Sequence, residues 1–95
     1  MARSRRPAAT KRRATFRLDE PDAHEVGVGG GFNEWNPGAH RMKKSASGSW
    51  SKVVVLPPGR YEYKFVADGS WRNDPGNDQI LPNVHGTANS VLIVS

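Results

Sequence analysis

Apolar residues come in short runs throughout this chain, and their spacing limits the folds open to it. Between positions 14 and 95, β-branched and aromatic residues are interrupted every few positions by Gly, Pro, Asn or Asp. No run is long enough to show the 3.6-residue period of a helix, and short runs bounded by turn-forming residues are typical of strands. With 95 residues, of which 36% are hydrophobic, the chain can enclose one small core. We therefore expect a single all-β domain.

Six segments have the composition of strands: residues 15–18, 25–28, 40–44, 50–56, 60–67 and 90–94. Alternation is clearest in 60–67, where Tyr63 and Phe65 share an apolar face, whereas 40–44 is polar and is predicted to lie at a sheet edge. Short strands joined by turns pack as antiparallel layers. The pattern predicts an immunoglobulin-like antiparallel β-sandwich of six to eight strands.

Most of the excess positive charge lies at the start of the chain. Six of the 14 Lys and Arg residues fall within residues 1–13, which contain no acidic residue, and eight basic and nine acidic residues follow. Because residues 1–13 hold no large apolar side chain after Met1, we expect a disordered basic arm there and a folded domain over residues 14–95. A nearly neutral domain is not expected to bind nucleic acid on its folded face, which leaves such contacts to the arm.

The composition also limits the compartment. No apolar stretch reaches the roughly 20 residues that cross a bilayer, and no apolar segment of a signal peptide follows the basic start. The chain has no Cys, which suits a reducing environment. We expect a soluble cytoplasmic protein with no membrane partner.

Several kinds of chemical site are absent from the pattern. His24, His40 and His85 lack the spacing of metal ligands, and the glycine-rich segment 27–31 is not followed by the Gly-Lys-Ser/Thr of a phosphate-binding loop. No recognisable pair of acidic residues flanks a tryptophan, as a glycosidase would require. We expect no catalytic residue, no metal and no cofactor.

The dipeptide Asp68-Gly69 predicts a tight hairpin after segment 60–67, because a type I′ turn needs positive φ at both positions. In the register that this turn sets, Val66 pairs with Trp71, and directly opposed residues share a face of the sheet. Lys64 belongs to the same face, opposite the apolar one. Trp71 is then either an exposed aromatic platform or a cover for an edge of the core or for the aliphatic stem of Lys64.

The other two tryptophans lie in different contexts. Trp35 follows three glycines and stands between Glu34 and Asn36, and this polar loop leaves its indole either available to a ligand or packed within the loop, with Phe32 as its anchor. Trp50 shares the parity of Val54 and is predicted to lie in the core.

Segment 83–90 places neutral hydrogen-bonding groups just before the last strand. Side chains that donate and accept match sugar hydroxyls, and an aromatic ring matches the C–H face of a pyranose. Asn and Thr in such a segment are also common turn formers. The residues alone leave both roles open.

Four motifs in order carry a resemblance to a known family: Gly31-Phe32-Asn33-Glu34-Trp35, Leu56-Pro57-Pro58-Gly59, Tyr63-Lys64-Phe65-Val66-Ala67-Asp68-Gly69-Ser70-Trp71 with Asp74-Pro75, and Gly86-Thr87-Ala88-Asn89-Ser90. Together they resemble carbohydrate-binding module family 48. This is the glycogen-binding or isoamylase-type early-set domain of the AMP-activated protein kinase beta subunit, also found beside glycogen-branching and debranching enzymes. The resemblance covers nearly all of residues 14–95.

The resemblance implies a non-catalytic module that binds an α-1,4-glucan such as glycogen, starch or a maltooligosaccharide. It further implies a glycogen-metabolising enzyme or a kinase-type partner. The residues that it places against the sugar are Trp35, Lys64, Trp71, Thr87 and Asn89. Kinase members carry at position 85 a Leu that reaches into the oligosaccharide, so His85 is also placed in the site.

A second function stays open. The sandwich could instead be a protein-interaction or regulatory module whose basic arm contacts an acidic partner or nucleic acid. Contact through the arm would weaken steeply with salt, whereas stacking on a neutral sugar would barely respond.

Overall fold

The structure is a computed structural model that describes residues 11–83 and 86–95. Within these residues lie eight strands: β1 (Arg12–Asp19), β2 (Val26–Gly30), β3 (Lys43–Lys44), β4 (Ser49–Leu56), β5 (Gly59–Ala67), β6 (Ser70–Arg72), β7 (Ile80–Pro82) and β8 (Ala88–Val94). A short 3-10 helix, Pro37–Ala39, precedes β3. The described residues include no helix that could span a bilayer. The all-β expectation is confirmed.

The strands form two antiparallel sheets, as the predicted sandwich requires. The smaller sheet has the order β1-β4-β3, and the larger has the order β2-β5-β8-β7, with β6 also paired to β5. Strand β5 is the centre of the larger sheet. Strand β2 pairs with one side of β5, and β8 and β6 pair with successive parts of its other side. The polar segment predicted at an edge does form the edge strand β3, although it is only two residues long.

Strand β1 begins earlier than the folded domain was expected to begin. Arg12 pairs with Leu56 and Arg13 with Val55. The Arg12 Nε also donates a hydrogen bond to the backbone oxygen of Ser95, at 3.1 Å. The last two residues assigned to the basic arm therefore belong to the smaller sheet.

The core lies between the inward faces of the two sheets. Phe16 from β1 meets Tyr63 from β5 edge-on, with ring centroids 4.9 Å apart, and lies 6.5 Å from Phe65. Trp50 is also buried here, and its Nε1 donates a hydrogen bond to the backbone oxygen of Glu20 at 2.9 Å. The core role predicted for Trp50 is confirmed.

A partly buried hydrogen-bond network fixes the connection between β6 and β7. The Tyr63 hydroxyl donates to Asp74 Oδ2 at 2.6 Å and accepts from Asn77 Nδ2 at 3.1 Å. Asn77 also donates to the backbone oxygen of Val91, at 2.8 Å, and Ser90 Oγ accepts from the Asp74 N–H. Burial and the hydrogen bond to Asp74 raise the pKa of Tyr63 well above its ordinary value, so the hydroxyl stays a donor. These contacts hold β7 against β8.

Candidate functional site

The β5–β6 hairpin carries the first aromatic residue of the site. Asp68 and Gly69 have φ values of 49° and 85°, and Val66 pairs with Trp71, so the predicted turn and register are confirmed. The Asp68 carboxylate accepts hydrogen bonds from the backbone N–H groups of Glu25 and His24, which lower the pKa of Asp68 and tie the hairpin to the chain before β2. Trp71 lies on the outer face of the larger sheet, 48% exposed.

The Trp71 ring can lie close against this face because the residue beneath it, Gly29, has no side chain. The indole reaches across β5 to β2, where a Cβ on Gly29 would lie 3.2 Å from both Cη2 and Cζ3 of the ring. Gly29 pairs with Lys64, so the ring lies beside the Lys64 side chain. A side chain larger than hydrogen at position 29 would push the indole away from the sheet.

The second aromatic residue follows β2 in a hydrogen-bonded loop. The Gly30 carbonyl accepts from the N–H groups of Asn33, at 3.1 Å, and Trp35, at 2.9 Å. The Asn33 side chain accepts from the Gly30 N–H, donates to the Val28 carbonyl, and lies 2.8 Å from His40 Nδ1. Burial lowers the pKa of His40, with a further contribution from Lys52, so its neutral ring accepts from Asn33 near pH 7.

The same loop is anchored to the core by an aromatic side chain. Phe32 stacks on Phe16 with centroids 5.5 Å apart, which confirms the predicted anchor. Glu34 and Trp35 have φ values of 57° and 59°, a left-handed conformation that residues other than Gly and Asn adopt at a cost. This conformation turns Trp35 toward the hairpin instead of along the sheet.

The two indoles form a pair on one side of the molecule. The ring centroids of Trp35 and Trp71 are 6.4 Å apart and the rings are tilted by 53°. Both rings are partly exposed, at 36% and 48% respectively. The Trp35–Trp71 pair therefore presents a continuous, solvent-accessible aromatic surface.

Polar side chains from β5 and from the β7–β8 hairpin lie beside this pair. Lys64 Nζ donates to Thr87 Oγ1 at 3.3 Å. Asn83 Nδ2 donates to Thr87 Oγ1 and to Asn89 Oδ1, both at 2.9 Å. Asn89 Nδ2 in turn donates to Glu62 Oε1 at 3.1 Å. Lys64 is thus joined by hydrogen bonds to three neutral residues and to one negatively charged residue. We call this set, Lys64, Thr87, Asn83, Asn89 and Glu62, the polar array.

The indole pair and the polar array enclose a groove of about 960 Å³. Eight described residues line it: Trp35, Glu62, Lys64, Trp71, Pro82, Asn83, Thr87 and Asn89. The structure brings together five of the six predicted site residues, namely Trp35, Lys64, Trp71, Thr87 and Asn89. The sixth, His85, lies outside the described residues.

The predicted site residues leave out three that line the groove, Glu62, Pro82 and Asn83, although Asn83 belongs to segment 83–90, which was considered for sugar contacts. Glu62 could have been predicted, because it lies two residues before Lys64 on β5 and its side chain therefore projects from the same face of the sheet. Pro82 had a weaker signal, since β7 is only three residues long and ends at this proline, and Asn83 follows it directly. Their positions depend on pairing with β8, where Pro82 faces Ala88 and Leu81 faces Asn89.

Comparison with known proteins identifies the family. Residues 13–95 match the sequence model of the family described as the glycogen recognition site of AMP-activated protein kinase. The chain belongs to this family. The groove therefore lies on a member of a carbohydrate-binding family, which agrees with the resemblance that the four motifs carry.

Relatives of this chain come from plants and animals. The chain is 38% identical over 88 residues to Protein FLOURY ENDOSPERM 6, chloroplastic, of Oryza sativa subsp. japonica, covering 93% of the chain and 16% of that protein. It is 38% identical over 73 residues to Protein PTST homolog 2, chloroplastic, of Arabidopsis thaliana, covering 77% and 13%. It is 31% identical over 89 residues to the 5'-AMP-activated protein kinase subunit beta-2 of Mus musculus, covering 94% and 31%. The chain spans less than a third of each.

These relatives correct one expectation. A cytoplasmic location was predicted from the lack of Cys and of a signal peptide. The two plant relatives are named as chloroplastic proteins, so the cytoplasmic prediction is wrong. Composition cannot separate two compartments that both keep thiols reduced.

Proposed function

We propose that this domain binds α-1,4-glucan without catalysing a reaction on it, by stacking glucose rings on the Trp35–Trp71 pair. The observation that carries the proposal is the pair itself, two partly exposed indoles with ring centroids 6.4 Å apart, Trp71 on the outer face of the larger sheet and Trp35 in the loop beside it. The apolar C–H face of a pyranose matches an indole face, and two adjacent rings can take two successive sugars of one chain.

The polar array supports a sugar ligand over a charged one. Thr87, Asn83 and Asn89 supply groups that both donate and accept hydrogen bonds, as sugar hydroxyls do. The two charged residues among the described groove lining, Lys64 and Glu62, have opposite signs. The groove therefore has little net charge and suits an uncharged polymer.

The relatives support the choice of polymer and the setting. The family is described by glycogen recognition, which makes glycogen, starch and maltooligosaccharides the ligands of this proposal. The plant relatives favour a plastid location, and the kinase subunits favour a module within a larger assembly that contains an enzyme or a kinase.

Calorimetric titration with maltoheptaose and β-cyclodextrin tests the proposal. Stacking on two indoles and a few exchanged hydrogen bonds, less the cost of association, give an expected dissociation constant of about 10 μM to 1 mM. Affinity is expected to change less than about twofold between about 0.05 and 0.5 M NaCl, because the ligand carries no charge. Absence of saturable binding would overturn the proposal. Loss of binding at high salt would favour the basic arm as the binding element.

Replacement of Gly29 tests the position of the Trp71 ring. Gly29→Val is expected to weaken maltoheptaose binding about 5- to 20-fold, because its side chain occupies the space under the indole. Gly31→Val is the matched control, since a Cβ at Gly31 meets no heavy atom within 4 Å. Equal affinity of the two variants, measured by titration, would show that the ring does not need this surface.

A further inference from the structure

Glu62 lies on the outer face of β5, two residues before Lys64, and lines the groove. Its Oε1 accepts a hydrogen bond from Asn89 Nδ2 at 3.1 Å. Asn89 is only 8% exposed, so its carboxamide has few alternative partners in water. A carboxylate accepts hydrogen bonds and cannot donate them, and Glu62 therefore fixes which end of the Asn89 amide faces it.

The orientation of the Asn89 amide determines which hydrogen bonds the next residues of the polar array can form. With its nitrogen on Glu62, Asn89 offers Oδ1 to Asn83 Nδ2, at 2.9 Å. Asn83 also donates to Thr87 Oγ1, which accepts from Lys64 Nζ at the other end. The array thus runs from an ammonium that can only donate to a carboxylate that can only accept. Reversal of Asn89 would set its NH₂ group against that of Asn83.

The second oxygen of Glu62 has a different environment. Across residues 11–83 and 86–95, Oε2 of Glu62 has no hydrogen-bond partner. A carboxylate oxygen at the wall of an open groove forms stronger hydrogen bonds with a hydroxyl than a neutral acceptor does. A bound sugar hydroxyl can donate a hydrogen bond to this oxygen in place of water.

We propose that Glu62 is a sugar-contacting residue of the groove, which holds Asn89 in orientation with one carboxylate oxygen and accepts a glucose hydroxyl with the other. This inference rests on the proposed glucan binding. Of the two charged residues in the described groove lining, Glu62 only accepts hydrogen bonds and Lys64 only donates them. The negative charge of Glu62 also offsets the positive charge of Lys64, so the groove does not favour anionic ligands.

Two substitutions separate the two roles of the carboxylate. Glu62→Gln keeps an acceptor for Asn89 but puts an amide in place of the charged oxygen, and we expect maltoheptaose affinity to fall about three- to fivefold with the thermal midpoint unchanged. Glu62→Ala removes both contacts, and we expect a loss of about tenfold or more. Arg60→Ala, on the same face of β5 but not a lining residue, is the control and is expected to stay within about twofold of the unsubstituted protein.

A second readout follows the Asn89 amide. In NMR spectra, the Asn89 side-chain N–H signals are expected to move in Glu62→Ala and to move much less in Glu62→Gln. In an Asn89→Ala background, Glu62→Ala is expected to cost less affinity than it does alone, since one of its two roles is already lost.

The outcomes distinguish the two proposals. If the unsubstituted protein binds maltoheptaose and Glu62→Gln binds it as tightly as Arg60→Ala does, the role of Glu62 as a sugar contact is overturned and glucan binding stands. If the unsubstituted protein does not bind, both proposals are overturned. A three- to fivefold loss in Glu62→Gln at an unchanged thermal midpoint supports the sugar contact.

Discussion

Trp71→Ala is expected to weaken maltoheptaose binding about 5- to 70-fold while the domain stays folded. A sugar stacked on this indole removes about 50 to 100 Å² of apolar surface from water, which corresponds to roughly 1 to 2.5 kcal/mol of binding free energy. The side chain is 48% exposed and stands on the outer face of the larger sheet, so its loss opens no cavity in the core. Calorimetric titration gives the affinity, and a thermal unfolding scan checks the fold.

The matched control is Ile93→Ala. Ile93 is 62% exposed on β8 and is not among the groove-lining residues, so its truncation removes apolar surface of the same sheet without touching the site. It is expected to leave affinity within about twofold. Unfolding of the Trp71→Ala protein would contradict the outer-face position of the indole, and unchanged affinity would contradict its role in stacking.

Trp50→Ala is expected to act on stability instead of on the groove. Trp50 is 6% exposed in the core and its Nε1 hydrogen-bonds the Glu20 carbonyl, so truncation leaves a large cavity and an unpaired carbonyl. The expected loss is about 3 to 5 kcal/mol of unfolding free energy. A domain of this size has only about 5 to 15 kcal/mol in total, so a large fraction of its stability would be removed.

Urea denaturation followed by far-UV circular dichroism measures this effect. Trp50→Phe keeps an aromatic ring but loses the hydrogen bond, and we expect it to cost about 1 to 3 kcal/mol. An unchanged urea midpoint in Trp50→Ala would contradict the burial of this residue.

Local chemistry made the β5–β6 hairpin predictable. Asp68-Gly69 allows one tight turn, and once the turn is set every pairing back along β5 follows, including Val66 with Trp71. Parity within a single strand was enough to place Trp50 in the core and Lys64 outside it. Each of these inferences needed only residues close together in the sequence.

The rest of the groove depends on contacts between distant residues. The Trp71 ring lies over Gly29, 42 positions earlier in the chain, and neither residue type alone indicates this contact. The Tyr63 and Asn77 side chains fix the loop before strand β7, which has only three residues and ends at a proline, so the sequence alone does not predict it. Asn83 directly follows that strand, so the pairing of β7 with β8 places Asn83 at the groove.

The most direct test of the shared aromatic surface is an NMR titration of the three tryptophan indole N–H signals with maltoheptaose, with each signal assigned from a Trp→Phe variant. The signals of Trp35 and Trp71 are expected to shift together and to saturate with the same dissociation constant, while that of Trp50 stays nearly fixed. Saturable binding in which only one of the two exposed indoles responds, or in which neither does, would contradict a shared aromatic binding surface.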